Sequence, residues 1–366
     1  MGPATQAGRQ LPPTRAVLHR DRGFAARMER AFRSMNQRRP LNLFYEEPAP
    51  DRWMRFDRYP RRLIRRIVRG RDQPLGPMRV FLNLIAGLDR LGAAYRVNDY
   101  RYIRANPGEL ACVIGKPQVL SKIPCETPIL FGTSIYSHPN DDPDLPKRRP
   151  IRQVLLPSPW VRDMFSEVWP DCLTVWPAGI DTERWTPVPT AARDIDVLIY
   201  DRIFWHREEY VRSLIAPLKA ELHRRGLNVE VLRYGSYREE QLFALSRRVR
   251  SMVYLSRHET QGLAAQQMMA SGVPLFVWDE GGLWQDPEYA PHQVRFGPVS
   301  SMPYWDERCG MKFATIAQFG SAFDDFWLGV ETGLYAPRQM IVEHFTLEQR
   351  ARAYLDIACK YVSPAE

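Results

Sequence analysis

The sequence predicts an α/β protein built from two doubly wound, Rossmann-like halves that face each other across a cleft. Three observations predict it. Short apolar runs alternate with amphipathic stretches from residue 41 onward, the alternation restarts after a proline-containing break at 181–194, and 366 residues with 45% hydrophobic content and ten Trp suffice to fill two cores. Strands that alternate with helices build a parallel sheet covered on both faces.

Residues 1–40 are Arg-rich, lack a sustained apolar period and read as a basic extension with room for a short helix over 25–35. The first half spans 41–180. Its first strand is "LNLFY" (41–45), followed by "YPRRLIRRIVRG", in which Pro60 suits a helix start, Gly70 its end, and Leu63, Ile64, Ile67 and Val68 one apolar face among arginines. "GPMRVFLNLIAGLDRLG" (76–92) is a helix opened by Gly76 and Pro77 and closed by Gly92. "ACVIG" (111–115), "PILF" (128–131), "QVLLP" (153–157) and "LTVW" (173–176) are the further strands, with a helix in "SPWVRDMFSEVW" between the last two.

The run "GIDTERWTPVPTAARD" (179–194) has two prolines and no strong period, which places an interdomain linker at 181–194. The second half, 195–335, repeats the alternation. Strands "IDVLIY" (195–200), "VEVLRY" (229–234), "MVYLS" (252–256) and "PLFVW" (274–278) are separated by helices over 208–226, 238–249 and 262–271. A C-terminal helical segment, 336–366, packs back on the halves. Thr346 and Gln349 there form a capping-box pattern ahead of an apolar stripe through Leu347, Ala351, Tyr354, Leu355, Ala358 and Val362.

Composition excludes several classes. No run of about 18 apolar residues can span a bilayer, and residues 1–23 lack the apolar core of a secretory leader. Five scattered cysteines without a C-x-x-C pair signal neither a disulfide framework nor a zinc knuckle, which fits a reducing cytoplasm. The net charge of +9 is unevenly placed. Residues 1–71 hold 18 Arg and 6 acidic residues, net +12, whereas the rest holds 33 basic and 36 acidic residues, net −3. A near-neutral body argues against a long nucleic-acid channel, and the basic end suits an anionic membrane surface.

In open parallel sheets, ligands bind beyond the carboxyl ends of the strands. After "MVYLS" comes "RHETQGLAAQQ", where Gly262 lets the backbone approach a ligand and the helix start offers unpaired N–H groups to an anion. Read alone, this corner serves equally as a tight turn with small residues packed on the sheet. After "IDVLIY" come Arg202 and, five residues later, Arg207, a pair able to clamp a diphosphate with forked hydrogen bonds.

These residues resemble the retaining GT-B glycosyltransferases of family 4. The family carries Gly-Arg, four residues, then Lys after the first strand of its donor half. The counterpart here is Asp201-Arg202 with Arg207. Its signature Glu-x-Phe-Gly-Leu, a second Glu and Ala-x-Gly-x-Pro corresponds to Glu259, Thr260, Gln261, Gly262, Leu263, then Gln267 and "ASGVP" (270–274). "VWPAGIDTERWTP" (175–187) is similar to the family's interdomain stretch, "PSPWVRDMF" (157–165) to a helix start of its acceptor half, and "YGSY" (234–237) to the turn that meets the donor base. The resemblance covers about residues 41–362.

It implies a GT-B enzyme that takes a nucleotide-diphosphate sugar as co-substrate, with no other cofactor and no metal. The sugar passes to a glycan or lipid-linked acceptor with retention of configuration, in the cytoplasm or at the inner face of the cell membrane. Arg202 and Arg207 then stabilise the leaving diphosphate, Gly262 and Leu263 bind phosphate, and Glu259 lies beside the donor sugar. Gly76, Thr260, Gln261, Gly235, Ser236 and Tyr237 complete the donor site, and His138 is the acceptor-half histidine near the sugar. A solvated loop histidine is the plainer role for His138. His206 and His258 flank the donor motifs, and Asp142-Pro-Asp144 reads as a polar turn rather than a metal motif. The chain departs from the family where Gln267 replaces the ribose-binding Glu, Arg207 the Lys, and Asp201 the Gly. A catalytically silent sugar-nucleotide-binding or scaffolding subunit is the alternative, and nucleic acid is not an expected partner.

Overall fold

A computed structural model describes residues 40–47, 76–133, 135–289 and 292–362. The basic extension and the arginine-bearing helix expected over 60–70 lie outside those residues. The described residues belong to one compact unit, built on two all-parallel sheets.

In chain order the first part contains β1 (Leu41–Phe44), α1 (Gly76–Arg90), β2 (Tyr95–Val97), α2 (Tyr100–Ala105), β3 (Ala111–Val113), β4 (Ile129–Gly132), α3 (Leu145–Arg148), β5 (Ile151–Leu156), α4 (Pro159–Ser166) and β6 (Leu173–Val175). The second continues with β7 (Ile195–Asp201), α5 (Arg207–Tyr210), α6 (Ala216–Arg224), β8 (Val229–Arg233), α7 (Glu239–Ser246), β9 (Val249–Leu255), α8 (Leu263–Ala270), β10 (Leu275–Trp278), β11 (Gly310–Phe313), α9 (Ile316–Thr332), α10 (Pro337–His344) and α11 (Leu347–Ala358). Hydrogen bonding orders the first sheet β2-β1-β3-β4-β5-β6 and the second β8-β7-β9-β10-β11.

Each sheet therefore reverses direction once, beside β1 in the first and between β7 and β9 in the second. At such a switch point the connections leave to opposite faces and open a crevice at the strand ends. β7 and β9 are paired from Ile195 with Val249 through Asp201 with Leu255, so both end at the same level. The loops after them are Arg202–His206 and Ser256–Gly262.

One expected helix forms with a π turn inside it. Residues 208–226 form α5, a π turn at Val211–Ile215 and then α6. Pro217 is the cause, because it has no N–H to give the preceding turn and its ring crowds the carbonyl four residues back. Sequence reading also passed over β2 and β11, both short strands at sheet edges.

The halves are not packed independently. Trp284, Tyr289, Val294 and Val299, all from the strap that follows β10, are buried in the first half's core with Phe131, Trp160 and Trp169. At the opposite end α11 lies on α1, where a Cβ on Gly87 would come within 2.5 Å of the Leu347 carbonyl oxygen. The α11 capping box forms as its sequence predicts, with the Gln349 N–H donating to Thr346 Oγ1 at 3.2 Å and the Thr346 N–H to Gln349 Oε1 at 3.1 Å. No helix among the described residues is long and apolar enough to cross a membrane.

Candidate active site

β7 ends on Asp201, whose carboxylate is only 2% exposed. The next residue, Arg202, keeps its N–H on the Leu255 carbonyl at 2.8 Å, which fastens it to the end of β9. His206 then takes a left-handed conformation at φ +52 and turns the chain so that Arg207 begins α5 above Asp201. A non-glycine residue pays a steric penalty there, so the surrounding contacts must hold the turn. Arg207 supplies them: its two terminal nitrogens donate to Asp201 Oδ1 and Oδ2 at 3.0 and 2.6 Å, and one donates again to the Ile203 carbonyl at 3.0 Å.

β9 delivers the second cluster. Glu259 is 6% exposed and forms an ion pair with Arg202. Burial pushes its carboxyl above the usual range, while Arg202, the Tyr254 hydroxyl and the Gly262 N–H pull it back toward the ionised form. The Glu259 N–H donates to the Ser300 carbonyl at 3.0 Å, and the Trp160 indole N–H donates to the Glu259 carbonyl at 2.9 Å. Arg202 also packs against two rings that touch each other. Its guanidinium carbon lies 5.4 Å from the Phe204 ring centre and 4.9 Å from that of Tyr234, a cation–π arrangement that fixes the head group.

Gly262 caps α8 at φ +84, which is why glycine stands there: the nearest atom to an added Cβ would be 3.6 Å away, so backbone conformation, not space, excludes other residues. Leu263 is the first residue of α8. Thr260 is exposed, whereas Gln261 is buried and fully engaged. Its amide accepts from the Ala178 N–H at 2.9 Å and donates to the Ala178 carbonyl at 2.8 Å and to Gln266 Oε1 at 2.9 Å. Gln261 thus fastens the 256–262 loop to the interdomain stretch. Gln267, one turn beyond Leu263 in α8, is 6% exposed, and its amide has no hydrogen-bond partner among the described residues.

The "YGSY" turn stands beside these groups. The Tyr234 N–H donates to the Asp201 carbonyl at 2.9 Å, Gly235 is left-handed at φ +80, and the Ser236 N–H closes the turn on Arg233 at 3.1 Å. The Tyr237 hydroxyl lies 2.8 Å from that of Tyr200. Gly76 opens α1, and one turn on, Arg79 pairs with Glu239 at the start of α7. The structure therefore gathers Arg202, Glu259, Gly262 and the 234–237 turn at the switch point of the second sheet.

His138 stands at the head of the short turn Pro139–Asp141. It is 2% exposed, its Nδ1 accepts from the Asn140 N–H at 3.2 Å, and its ring centre is 5.6 Å from Trp284 and 5.5 Å from Tyr289. Burial holds its pKa below the ordinary value. None of its hydrogen bonds or ring contacts reaches Arg202 or Glu259, and it is not the solvated loop histidine either. Asp142 pairs with Arg148 and Asp144 with Lys147. Among the described residues, no group of three or more His, Cys, Asp or Glu converges as metal ligands would.

Sequence reading missed Asp279, although the rule that ligands sit at strand ends would have pointed there after "PLFVW". Asp279 accepts from Ser300 Oγ at 2.8 Å, the Ser301 N–H at 2.9 Å and Lys312 Nζ at 2.7 Å, which ties the strap's return leg to the sheet.

No protein-family model matches the sequence, and no curated protein matches it. Solved structures do match. AviGT4, a glycosyltransferase involved in avilamycin A biosynthesis, superposes with a TM-score of 0.52 at 13% identity, covering 89% of this chain and 99% of its own. The chain has the GT-B fold. WaaG, a glycosyltransferase involved in lipopolysaccharide biosynthesis, gives a TM-score of 0.49 at 9% identity over 87% of this chain and 99% of its own. In this GT-B chain the cluster around Arg202 and Glu259 occupies the strand-end crevice that the doubly wound topology opens.

Proposed function

We propose that the chain is a glycosyltransferase that moves a sugar from a nucleoside-diphosphate donor to a glycan or lipid-linked acceptor with retention of configuration and without a metal. The observation that carries this reading is Arg202, a buried-edge cation fixed at the switch point between β7 and β9, beside the glycine-started helix α8. An anion placed there meets a guanidinium and the free N–H groups of a helix start together.

The chemistry follows from charge. As the bond between the anomeric carbon and the diphosphate oxygen breaks, negative charge grows on the phosphate, and Arg202 with the Leu263 N–H at the start of α8 stabilises it, while the Gly262 N–H holds the Glu259 carboxylate. Positive charge grows on the sugar, where the Glu259 carboxylate is placed to offset it. The acceptor hydroxyl attacks from the face the diphosphate leaves, and its proton passes to the departing phosphate oxygen. Gln267 accepts from a ribose hydroxyl as a neutral group, a weaker contact than a carboxylate makes. The basic stretches within 1–71 suit a lipid-linked acceptor at the cytoplasmic membrane face. Vesicle co-sedimentation that survives removal of 1–39 and neutralisation of Arg61, Arg62, Arg65 and Arg66 would remove that part of the proposal.

The test is glycosyl transfer and donor hydrolysis with a panel of UDP- and GDP-sugars, beside Arg202→Ala. Turnover should appear with one donor and fall by about 10²–10³-fold in the variant, as when a transition-state charge contact is removed. A second reading has its own support, because Arg202 is countered by Glu259 and Gln267 lacks charge. It is a silent sugar-nucleotide-binding subunit, and binding without turnover under every donor selects it.

A further inference from the structure

We infer that Asp201 is a positioning residue that latches Arg207 onto the end of β7, leaving Arg202 as the cation of this arginine pair that meets the donor's diphosphate. The inference rests on the donor-site reading above, and it revises the two-arginine clamp that residue spacing suggests.

Both arginine side chains are 25% exposed, and the difference lies in their nitrogens: Arg202 meets Glu259, Ser256 Oγ and the His258 carbonyl through one terminal nitrogen, whereas Arg207 commits both. Arg207 spends three donations inward, two on the Asp201 carboxylate and one on the Ile203 carbonyl. A guanidinium has five N–H groups in a fixed plane, so turning it toward a phosphate breaks the fork on Asp201. Asp201 cannot follow. It is the last residue of β7, hydrogen-bonded in register with β8 and β9, and its Oδ1 also accepts from the Ile203 N–H at 3.2 Å. Releasing Arg207 would leave a 2%-exposed carboxylate uncompensated, a state buried charges avoid strongly.

The latch also shields the ligand. Asp201 immediately precedes Arg202, so a diphosphate drawn to Arg202 approaches the Asp201 carboxylate as well, and Arg207 cancels that charge. Where the family resemblance expects glycine, this chain has added an anion, and the Arg207 that follows is its counter-ion. Arg207 then acts on the donor through Asp201 rather than by touching phosphate.

The two roles predict opposite results in one double variant. UDP and GDP are titrated calorimetrically into the full-length wild type, Arg207→Gln, and Asp201→Asn with Arg207→Gln, with thermal unfolding of each recorded. Asn keeps the acceptor for the Ile203 N–H and removes the charge. Under the latch, Arg207→Gln weakens binding of the preferred nucleotide by about tenfold, and adding Asp201→Asn restores it to within about threefold of wild type. If Arg207 grips phosphate directly, the double variant stays about tenfold or more weaker, and the inference falls. The double variant decides the matter even where Arg207→Gln alone does not fold. Wild type that binds neither nucleotide overturns the donor-site reading and this inference together, whereas wild-type binding without rescue overturns this inference alone.

Discussion

Trp160 donates its indole N–H to the backbone carbonyl of Glu259 at 2.9 Å, joining residues 99 positions apart. The donor comes from α4 of the first half and the acceptor from the loop after β9 in the second. The acidic residue of the candidate site is thus held in place from across the cleft.

Replacing Trp160 with Phe keeps an aromatic ring in the core and removes that donor. The loss of one buried hydrogen bond costs about 1 kcal/mol, and in a chain this large the melting temperature should fall by roughly 1–2 °C. UDP affinity should fall with it, because Glu259 and its partner Arg202 lose a support. Unchanged melting and unchanged affinity would show that the contact supports nothing.

Gln261 makes three side-chain hydrogen bonds that no smaller residue can replace. Gln261→Ala leaves the Ala178 N–H, the Ala178 carbonyl and Gln266 Oε1 without that partner, so the variant should lose roughly 2–4 kcal/mol in urea unfolding. A loss below about 0.5 kcal/mol, the range of an ordinary surface change, would contradict its role as a clasp.

Gln267→Glu restores the carboxylate that the family resemblance leads one to expect. If the residue accepts from ribose, UDP and uridine should both bind about three- to tenfold more tightly through a charge-assisted bond. Inorganic pyrophosphate should gain nothing. A uniform change for all three ligands would assign the residue to the phosphates instead.

His258 gives a pH signature. It sits against Trp160 and Trp205, and burial lowers its pKa from the ordinary 6.5 to about 4. Between those values the unfolded chain binds a proton that the folded chain refuses, so stability rises with pH. The contribution is complete above about pH 6.5 and drains away as pH falls toward 4. Urea unfolding across this window should show the slope, and His258→Phe should flatten it. An equal slope in the variant would place the titration elsewhere.

The parts of the fold legible in the sequence are those with local causes. β7 and β9 carry the apolar runs VLIY (197–200) and MVYL (252–255), and α11 announces itself through Thr346 and Gln349. β2 and β11 are edge strands, "YRV" and "GMKF", with only partial burial and no run to see. In the site, Arg202 and Glu259 were readable because each follows a strand end. Their pairing was not, since 57 residues separate them and no periodicity records it. The same holds for the Gln261 clasp on Ala178, 83 residues away, and for the burial of His138 under Trp284 and Tyr289. Asp201 was visible as a departure from glycine, but its service to Arg207 depends on the left-handed turn at His206, which sequence spacing does not encode.

The strap after β10 bears on protein engineering. The two halves of a GT-B fold invite recombination, and residues 181–194 look like the natural crossover. Trp284, Tyr289, Val294 and Val299 cross back over that boundary in space. A chimera joined at the linker would offer four foreign plugs to a socket shaped for others, so a working exchange must carry the strap and the socket's own lining, Phe131, Trp160 and Trp169, as one inheritance.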